Sequence, residues 1–569
     1  MASADRRDRS EYLVDPAHAG DACDGELVVA EPLPARRYGP PRVKIVERLG
    51  PPDAPGAISL LSIAAFEIPI EFPAAALAEA AAAKPIAPAG RADLRELGLV
   101  TIDGSDARDF DDAVWAEPDS DAGNRGGWHL VVAIADVAHY IAPDSALGRE
   151  AQLRGNSVYF ADRVVPMLPE ALSNGLCSLK PDEDRACLAV HLWIDAAGRK
   201  HRHRFERAIM RSAARLTYEE VQAARDGLQK PATGKERLDA LYGAWSALDR
   251  ARVARNALAL DLVEYRVVLD ADRTPVAIEP RKRLDSHRLI EEFMILANVA
   301  AAEELEARRR PCIYRIHDAP DPERVDALRQ ALLDLGVPGL ALAKGQVLRP
   351  ELFNRILERA VGRPEAALIN DLVLRSQAQA AYSPVNIGHF GLALRRYAHF
   401  TSPIRRYADL VVHRALLGET VPDGDELAAI AEHVSATERR ATAAERAALD
   451  RYRVQLHAGM IGREFSARVS GVARFGLFVR LLESGTDGLL PLSGLPIGSY
   501  RFDPQRQRLS ARQGRRSFGL GDTLNVRLSE ADPIGGRLVF RLDDEAGPAR
   551  AAPARGLRAR RQPRMRRRR

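Results

Sequence analysis

Apolar residues recur at two kinds of spacing along this chain, every second position and every third or fourth, and the two divide it into sheet and helix territory. Alternations such as Glu26–Ala30 and Arg42–Val46, separated by Pro/Gly turns, predict a small β-barrel of the OB or cold-shock type over 12–75, after a disordered leader at 1–11. An alanine-rich helical linker at 76–95 leads into a long mixed α/β region over 96–420. Within it, Trp128–Val137 reads as a buried strand. Leu289, Phe293, Leu296 and Ala300 mark one face of a helix over 286–308, and a second helix runs over 321–337 to Gly336. A charged helical segment occupies 421–460. Period two returns in Phe465–Val469, Gly476–Leu481 and Leu538–Leu542, predicting a second barrel over 461–543. The fold class expected is therefore a multidomain α+β chain, a mixed α/β domain flanked by two OB-type β-barrels.

Composition adds little until the charge is divided. With 46% hydrophobic and 28% charged residues, the chain is an ordinary globular one. Cys23, Cys177, Cys187 and Cys312 show no CxxC pairing, so neither a disulfide frame nor a zinc site is expected, and a reducing cytoplasm fits. No apolar run is long enough for a membrane span, and Met1–Arg9 is not a signal peptide. The net charge is +5, but ten arginines and no acid lie in 546–569, so the remainder sums to −5. The tail, read as 544–569 and disordered, is thus the basic part, and a nucleic-acid partner is plausible on charge alone.

Candidate chemistry concentrates between Thr101 and Val114. Asp103, Asp106, Asp109, Asp111 and Asp112 crowd into ten positions between apolar neighbours. Carboxylates packed this closely repel unless a cation neutralises them, and hard oxygen ligands select Mg²⁺, Mn²⁺ or Ca²⁺. An EF-hand is excluded, because Gly104 stands at the second position and not the sixth. The bland alternative is a solvated Asp-Gly turn. Strand alternation would aim Asp109 and Asp111 to one side, with Asp103 returning from the preceding strand, an arrangement suited to metal-assisted phosphoryl chemistry. In the second barrel, Phe475 and Phe478 stand among Arg468, Arg474 and Arg480; the pattern fits base stacking on single-stranded RNA and barrel core equally.

Several long blocks in order give the chain a resemblance to the RNase II/RNase R (RNB) family of 3′→5′ exoribonucleases, from about Gly20 to Asp543. They are Thr101–Asp112, Ile134–Tyr140, Ser157–Pro169, Ile290–Asn298, Tyr314–Asp318 and Tyr397–Tyr407, the last two closer to RNase R. The resemblance implies an RNB-type catalytic domain at 96–420 between a cold-shock-like barrel and an S1 barrel, in a short RNase R-like member. It implies that Asp103, Asp109, Asp111 and Asp112 bind Mg²⁺, with Mn²⁺ as a substitute, and that Arg405 contacts the scissile phosphate. Tyr159 matches a residue that stacks on the 3′-terminal nucleotide, Glu291 or Glu292 matches an acid near the terminal ribose, and Arg406 joins the substrate-binding set with Phe475 and Phe478. Asp106 stays a turn residue. Asn156, Ala161 and Leu260 depart from the family pattern around the stacking residues. The expected activity is Mg²⁺-dependent, processive hydrolysis of single-stranded RNA, or RNA with a 3′ overhang, to nucleoside 5′-monophosphates by a cytoplasmic monomer. The rival is an inactive member that only binds RNA, and the intact aspartate set argues against it.

Overall fold

A computed structural model describes residues 4, 10–34, 39–336, 346–496, 498–504, 506–512 and 516–542. The arginine-rich tail and most of the expected leader lie outside the described residues. The chain divides into two compact units, Met1–Gly459 with Ala531–Arg537, and Met460–Glu530 with Leu538–Arg569.

The larger unit begins with β1 (Leu13–Val14), β2 (Leu27–Pro32) and β3 (Arg42–Gly50), paired in the order β1-β3-β2. Among the described residues this is a three-stranded sheet, and the closed barrel expected for 12–75 is not formed. The reason lies in residues 57–65. Pro51 and Pro52 stop β3, and Gly56 turns at φ +78° into α1 (Ala57–Ala65). Ala57, Ile58, Leu61 and Ser62 then face inward at helical, not strand, spacing. The short helix α2 (Ala74–Ala82) follows.

The central sheet carries the site. Its strands are β4 (Ala92–Asp93), β5 (Val100–Asp103), β6 (Asp112–Pro118), β7 (Trp128–Ala135), β10 (Asp184–Ile194), β11 (Lys200–Arg211) and β12 (Ala214–Thr217), in the order β12-β5-β6-β7-β10-β11-β4. Between β7 and β10 come α3 (Ala146–Arg154) and a small hairpin of β8 (Val158–Tyr159) and β9 (Val164–Val165). Both faces of the sheet are covered, which is why β7 reads as one apolar run. On one face Val114, Val132, Ile134 and Val190 pack with α5 (Lys235–Ala254) and α6 (Asp285–Ala307), beside α4 (Tyr218–Arg225). On the other, Ala113, Val131, Ala133 and Ala189 lie in one core with residues of the last two helices of the unit, α10 (Tyr407–Leu416) and α11 (Gly424–Ala458). The helix expected at 286–308 is α6, with Leu289, Phe293, Leu296 and Ala300 buried as its pattern required.

Three helices, α7 (Pro322–Asp334), α8 (Pro350–Ala360) and α9 (Ala366–Ser376), close a separate aliphatic cluster against which Leu258 and Leu260 pack. The smaller unit is built on a closed five-strand barrel in the order Glu464–Ala473, Gly476–Leu481, Asp487–Pro491, Arg537–Arg541, Thr523–Asp532. Alternation sends Val469, Leu477, Val479, Leu490 and Val526 inward.

Candidate active site

The aspartate run leaves β5 as a loop and re-enters the sheet as β6. Asp103 ends β5, where parallel pairing sets it against Thr217 of β12. The loop is fastened from three sides. Arg215 Nη2 donates to the Gly104 carbonyl at 2.6 Å, and Ser178 Oγ donates to the Arg108 carbonyl at 2.8 Å while accepting from Phe110 N at 3.0 Å. Ala135 N of β7 donates to the Asp111 carbonyl at 2.9 Å. Phe110 is buried in the sheet core, so its neighbours Asp109 and Asp111 turn the other way.

The side chains opposite them come from far along the sequence. Asp111, only 4% exposed, accepts from Ile404 N at 2.9 Å, and its second oxygen lies 3.7 Å from Arg405 Nε. That gap is too long for a hydrogen bond, and Asp111 Oδ2 and Asp103 Oδ2 are both buried without a hydrogen-bond partner. Tyr159 O–H donates to Asp109 Oδ2 at 3.3 Å, and Tyr159 N donates to Glu445 Oε1 of α11 at 2.7 Å. The loop after Tyr159 is fixed as well: Ser59 of α1 donates to Asp162 and lies 3.1 Å from the Tyr452 hydroxyl.

These surroundings shift the carboxyls upward. Burial, with the charges of Asp112 and Asp109, pushes Asp103 up to about 8. Burial raises Asp112 to about 6 against the opposing pull of Arg405 and Arg406. Asp111 is raised well above its ordinary value, again chiefly by burial, with Arg405 opposing. Arg405 is thus the one cation that opposes protonation at all three. Crowded carboxyls with unpartnered oxygens and insufficient positive charge are the donor set that a hard divalent cation completes. Among the described residues no three acidic, histidine or cysteine side chains converge into a formed cation cage, so the fit rests on donor chemistry and on the unpartnered oxygens.

Comparison with known proteins places this arrangement. The RNB domain matches residues 91–418, more than half of the chain. The chain belongs to the RNB family. A cold shock domain matches residues 1–73 and an S1 RNA binding domain residues 460–541. Ribonuclease R of Escherichia coli strain K12 is 40% identical over 564 residues, covering 95% of this chain and 68% of that protein. Ribonuclease R of Aquifex aeolicus is 38% identical over 538 residues, with coverage of 91% and 75%. The solved structure of Mycoplasma genitalium RNase R in complex with ribose-methylated single-stranded RNA aligns at a TM-score of 0.88 and 27% identity, covering 95% of this chain and 86% of that one. The same protein in complex with double-stranded RNA aligns at 0.82 and 26%, covering 95% and 93%. This RNB protein is a 3′→5′ exoribonuclease, and metal dependence is general among RNB nucleases. Among the described residues, no helix is long and apolar enough to cross a membrane.

Within the RNB domain the sequence-predicted residues separate into two groups. Asp103, Asp109, Asp111, Asp112, Arg405 and Tyr159 come together as described. Arg406 lines the same small cavity as Tyr159 and Arg405, but its Nη2 is engaged by Asp409 at 2.8 Å. Glu292 stands apart from the aspartates in every contact it makes: it is 2% exposed and held by Arg255 at 3.2 Å and Arg252 at 3.5 Å. Its neighbour Glu291 pairs with Arg283. In the S1 unit Phe475 and Phe478 are 57% and 44% exposed with ring centres 5.9 Å apart, so they are surface and not barrel core.

Two residues at the site escaped the sequence. Tyr218, first residue of α4, is stacked on His287 at 4.0 Å, and burial together with the charges of Asp112 and Asp103 holds its hydroxyl well above the ordinary value. The signal was the β12–β5 pairing, which local periodicity does not carry. Ser178, the clamp on the aspartate loop, follows an irregular turn with no pattern of its own.

Proposed function

We propose that Asp103, Asp109, Asp111 and Asp112 hold Mg²⁺, replaceable by Mn²⁺, and that the enzyme releases nucleoside 5′-monophosphates processively. The substrate is single-stranded RNA, or the 3′ overhang of a duplex, and the enzyme acts as a cytoplasmic monomer. The observation that carries this reading is Asp111, buried beside Arg405 at 3.7 Å with one carboxyl oxygen unpartnered. A bound divalent cation supplies charge neutralisation and an activated water at such a site.

The chain's own residues do the rest. Arg405 has a side chain that is 43% exposed and donates only to the Ser402 hydroxyl, from Nη2 at 3.0 Å, a neutral partner that two oxygens of the scissile phosphate can displace from its planar fork. Its charge then opposes the negative charge that grows in the transition state. Tyr159, 39% exposed and tethered through its backbone to Glu445, offers a ring face to the terminal base. Phe475 and Phe478 supply a second stacking pair on the S1 barrel.

The test is incubation with 5′-labelled single-stranded RNA. A descending ladder with mononucleotide product is expected with Mg²⁺, no cleavage with EDTA, and recovery with Mn²⁺. Undiminished cleavage in EDTA would remove the assigned role of the aspartates.

A further inference from the structure

One large cavity of the catalytic unit is lined by none of the aspartates of the run. It measures about 850 Å³ and is bounded by α2 and the linker after it, by the start of α3, and by Arg207 of β11. Pockets of this size take a ligand as large as a nucleotide. Its Arg91 and Arg207 sit at the same end of the central sheet as the aspartate loop, because both bond Asp136, which follows β7 directly where Ala135 bonds Asp111. β11 stands three strands from β6, roughly 14 Å at the usual strand spacing, so this is a second locus on one sheet edge.

Its charge is unbalanced. Asp136 Oδ2 accepts from Arg91 Nη2 at 2.6 Å and from Arg207 Nε at 3.1 Å, so one carboxylate answers two guanidinium groups. Lys84 adds a third positive charge to the lining. The nearby acid Glu79 is already spent, accepting from Ala146 N and Leu147 N at 2.9 Å each at the start of α3. The Arg91 side chain is 6% exposed, and its Nη1 is buried with no hydrogen-bond partner, a costly state for a charged donor. Burial, with Arg91 and Arg207 also opposing protonation, keeps the His139 ring below its ordinary value even though Asp136 pulls the other way. His139 and Tyr140 meet edge to face at 5.4 Å and supply ring surface beside the cations.

We propose that this cavity is a binding site for a nucleoside 5′-monophosphate, with the phosphate on Arg91, Arg207 and Lys84 and the base against Tyr140. Positive charge around a guanidinium with one unpartnered nitrogen, Arg91 Nη1, selects a phosphate dianion, which accepts several charge-assisted hydrogen bonds. The volume and the aromatic wall select a nucleotide over orthophosphate. The inference rests on this cavity and not on the assignment of the aspartates.

The test is calorimetric titration of the full chain with adenosine 5′-monophosphate in EDTA, and with orthophosphate in parallel. Four proteins are compared: the unaltered chain, Lys84→Glu, Arg91→Gln and Arg405→Gln. Affinity for the nucleotide is expected to fall about tenfold in each of the first two variants, the scale of one lost charge-assisted bond. The binding step weakened in those two variants should persist in Arg405→Gln, and orthophosphate should bind more weakly than the nucleotide. Lys84 is exposed, so its variant keeps the test decisive if Arg91→Gln fails to fold. Absence of nucleotide binding, unchanged affinity in Lys84→Glu, or loss of binding only in Arg405→Gln would overturn the site. Equal affinity for orthophosphate would overturn the nucleotide.

Discussion

Asp111 and Asp136 stand just beyond the ends of neighbouring strands, one residue before β6 and one after β7, 4% and 1% exposed, and they have opposite fates. Arg91 and Arg207 both bond Asp136 directly, and despite its burial they keep its carboxyl below the ordinary value. Asp111 has one backbone donor and an arginine held back to 3.7 Å, and burial drives it well above. Each leaves one oxygen without a hydrogen-bond partner, so an unpartnered oxygen does not by itself separate them. What separates them is whether a cation arrives from within the chain. A buried carboxylate with its counter-charge built in holds the fold together, and one without it awaits a counter-charge from outside.

The sharpest way to break this contrast is to remove each charge. Asp111→Asn should cost at least about 10²–10³-fold in turnover, the scale of one electrostatic catalytic group, with RNA affinity and melting temperature held or improved. Asp136→Asn should do the reverse, destabilising the fold by about 3–5 kcal/mol because Arg91 stays buried without its partner. Turnover and thermal melting measured on both variants decide it. If Asp111→Asn melts early and Asp136→Asn does not, the two roles have been exchanged.

The adjacent arginines repeat the contrast at smaller scale. Arg405→Lys keeps the charge but loses the fork, and about a 10–100-fold loss of turnover is expected from one bidentate contact on phosphate. Arg406 is bound to Asp409, which also accepts from Ser402 N at 2.8 Å, so Arg406→Lys should loosen the turn that carries Arg405. Its mark is a lower melting temperature with a milder loss of activity. Equal kinetic losses in both variants would place Arg406 on the substrate.

How much of this was legible in the sequence depends on sequence distance. The aspartate run, the α6 stripe and β7 are local patterns, and each was readable from spacing alone. The meeting of that run with Arg405 and Tyr159 is not local; only the family resemblance brought those residues together in advance. Residues 57–65 misled because a nine-residue apolar stretch after Pro/Gly turns satisfies either period, and burial against α11 decided for the helix. The pairing of Glu292 with Arg252 and Arg255 was not readable either, because those arginines arrive from α5 and its C-terminal end, outside any local window. Alternation likewise left Phe475 and Phe478 undecided, since a strand shows its two faces but not which one is wet.

A pH series compares the two carboxyl environments without altering substrate contacts. Asp103, pushed up to about 8, holds its proton in the folded state through a range where the unfolded carboxyl, near 3.9, has lost it. The folded state then binds more protons, so metal-free stability falls as pH rises toward 8. Asp136, lowered by its arginines, contributes stability that is complete above the unfolded value and lost only in acid. Between about pH 7 and 8.5, where unperturbed histidines are already neutral, the metal-free melting temperature should decline. Asp103→Asn should flatten that slope, and Mg²⁺ should raise the melting temperature more at the upper end. A slope unchanged by Asp103→Asn would show that the aspartate cluster does not titrate there.

The smallest effects fall on Tyr159, where a fixed part and an open part share one residue. Its backbone is tied to Glu445 at 2.7 Å, the residue as a whole is 39% exposed, and the hydroxyl lies 3.3 Å from Asp109. Removing the ring in Tyr159→Ala should cost about 1–3 kcal/mol of binding to the terminal base and lengthen the limit product, because short RNAs have few other contacts. Removing only the hydroxyl in Tyr159→Phe should cost no more than about 0.5–1.5 kcal/mol, since the bond to Asp109 is long. The ring would still stack, so the limit product should keep its length. End-product sizing and short-oligonucleotide binding on the two variants separate the contributions. If Tyr159→Phe lengthens the product as much as Tyr159→Ala does, the hydroxyl's hold on Asp109 is what matters, and Tyr159 positions the aspartate loop and does not stack on the base.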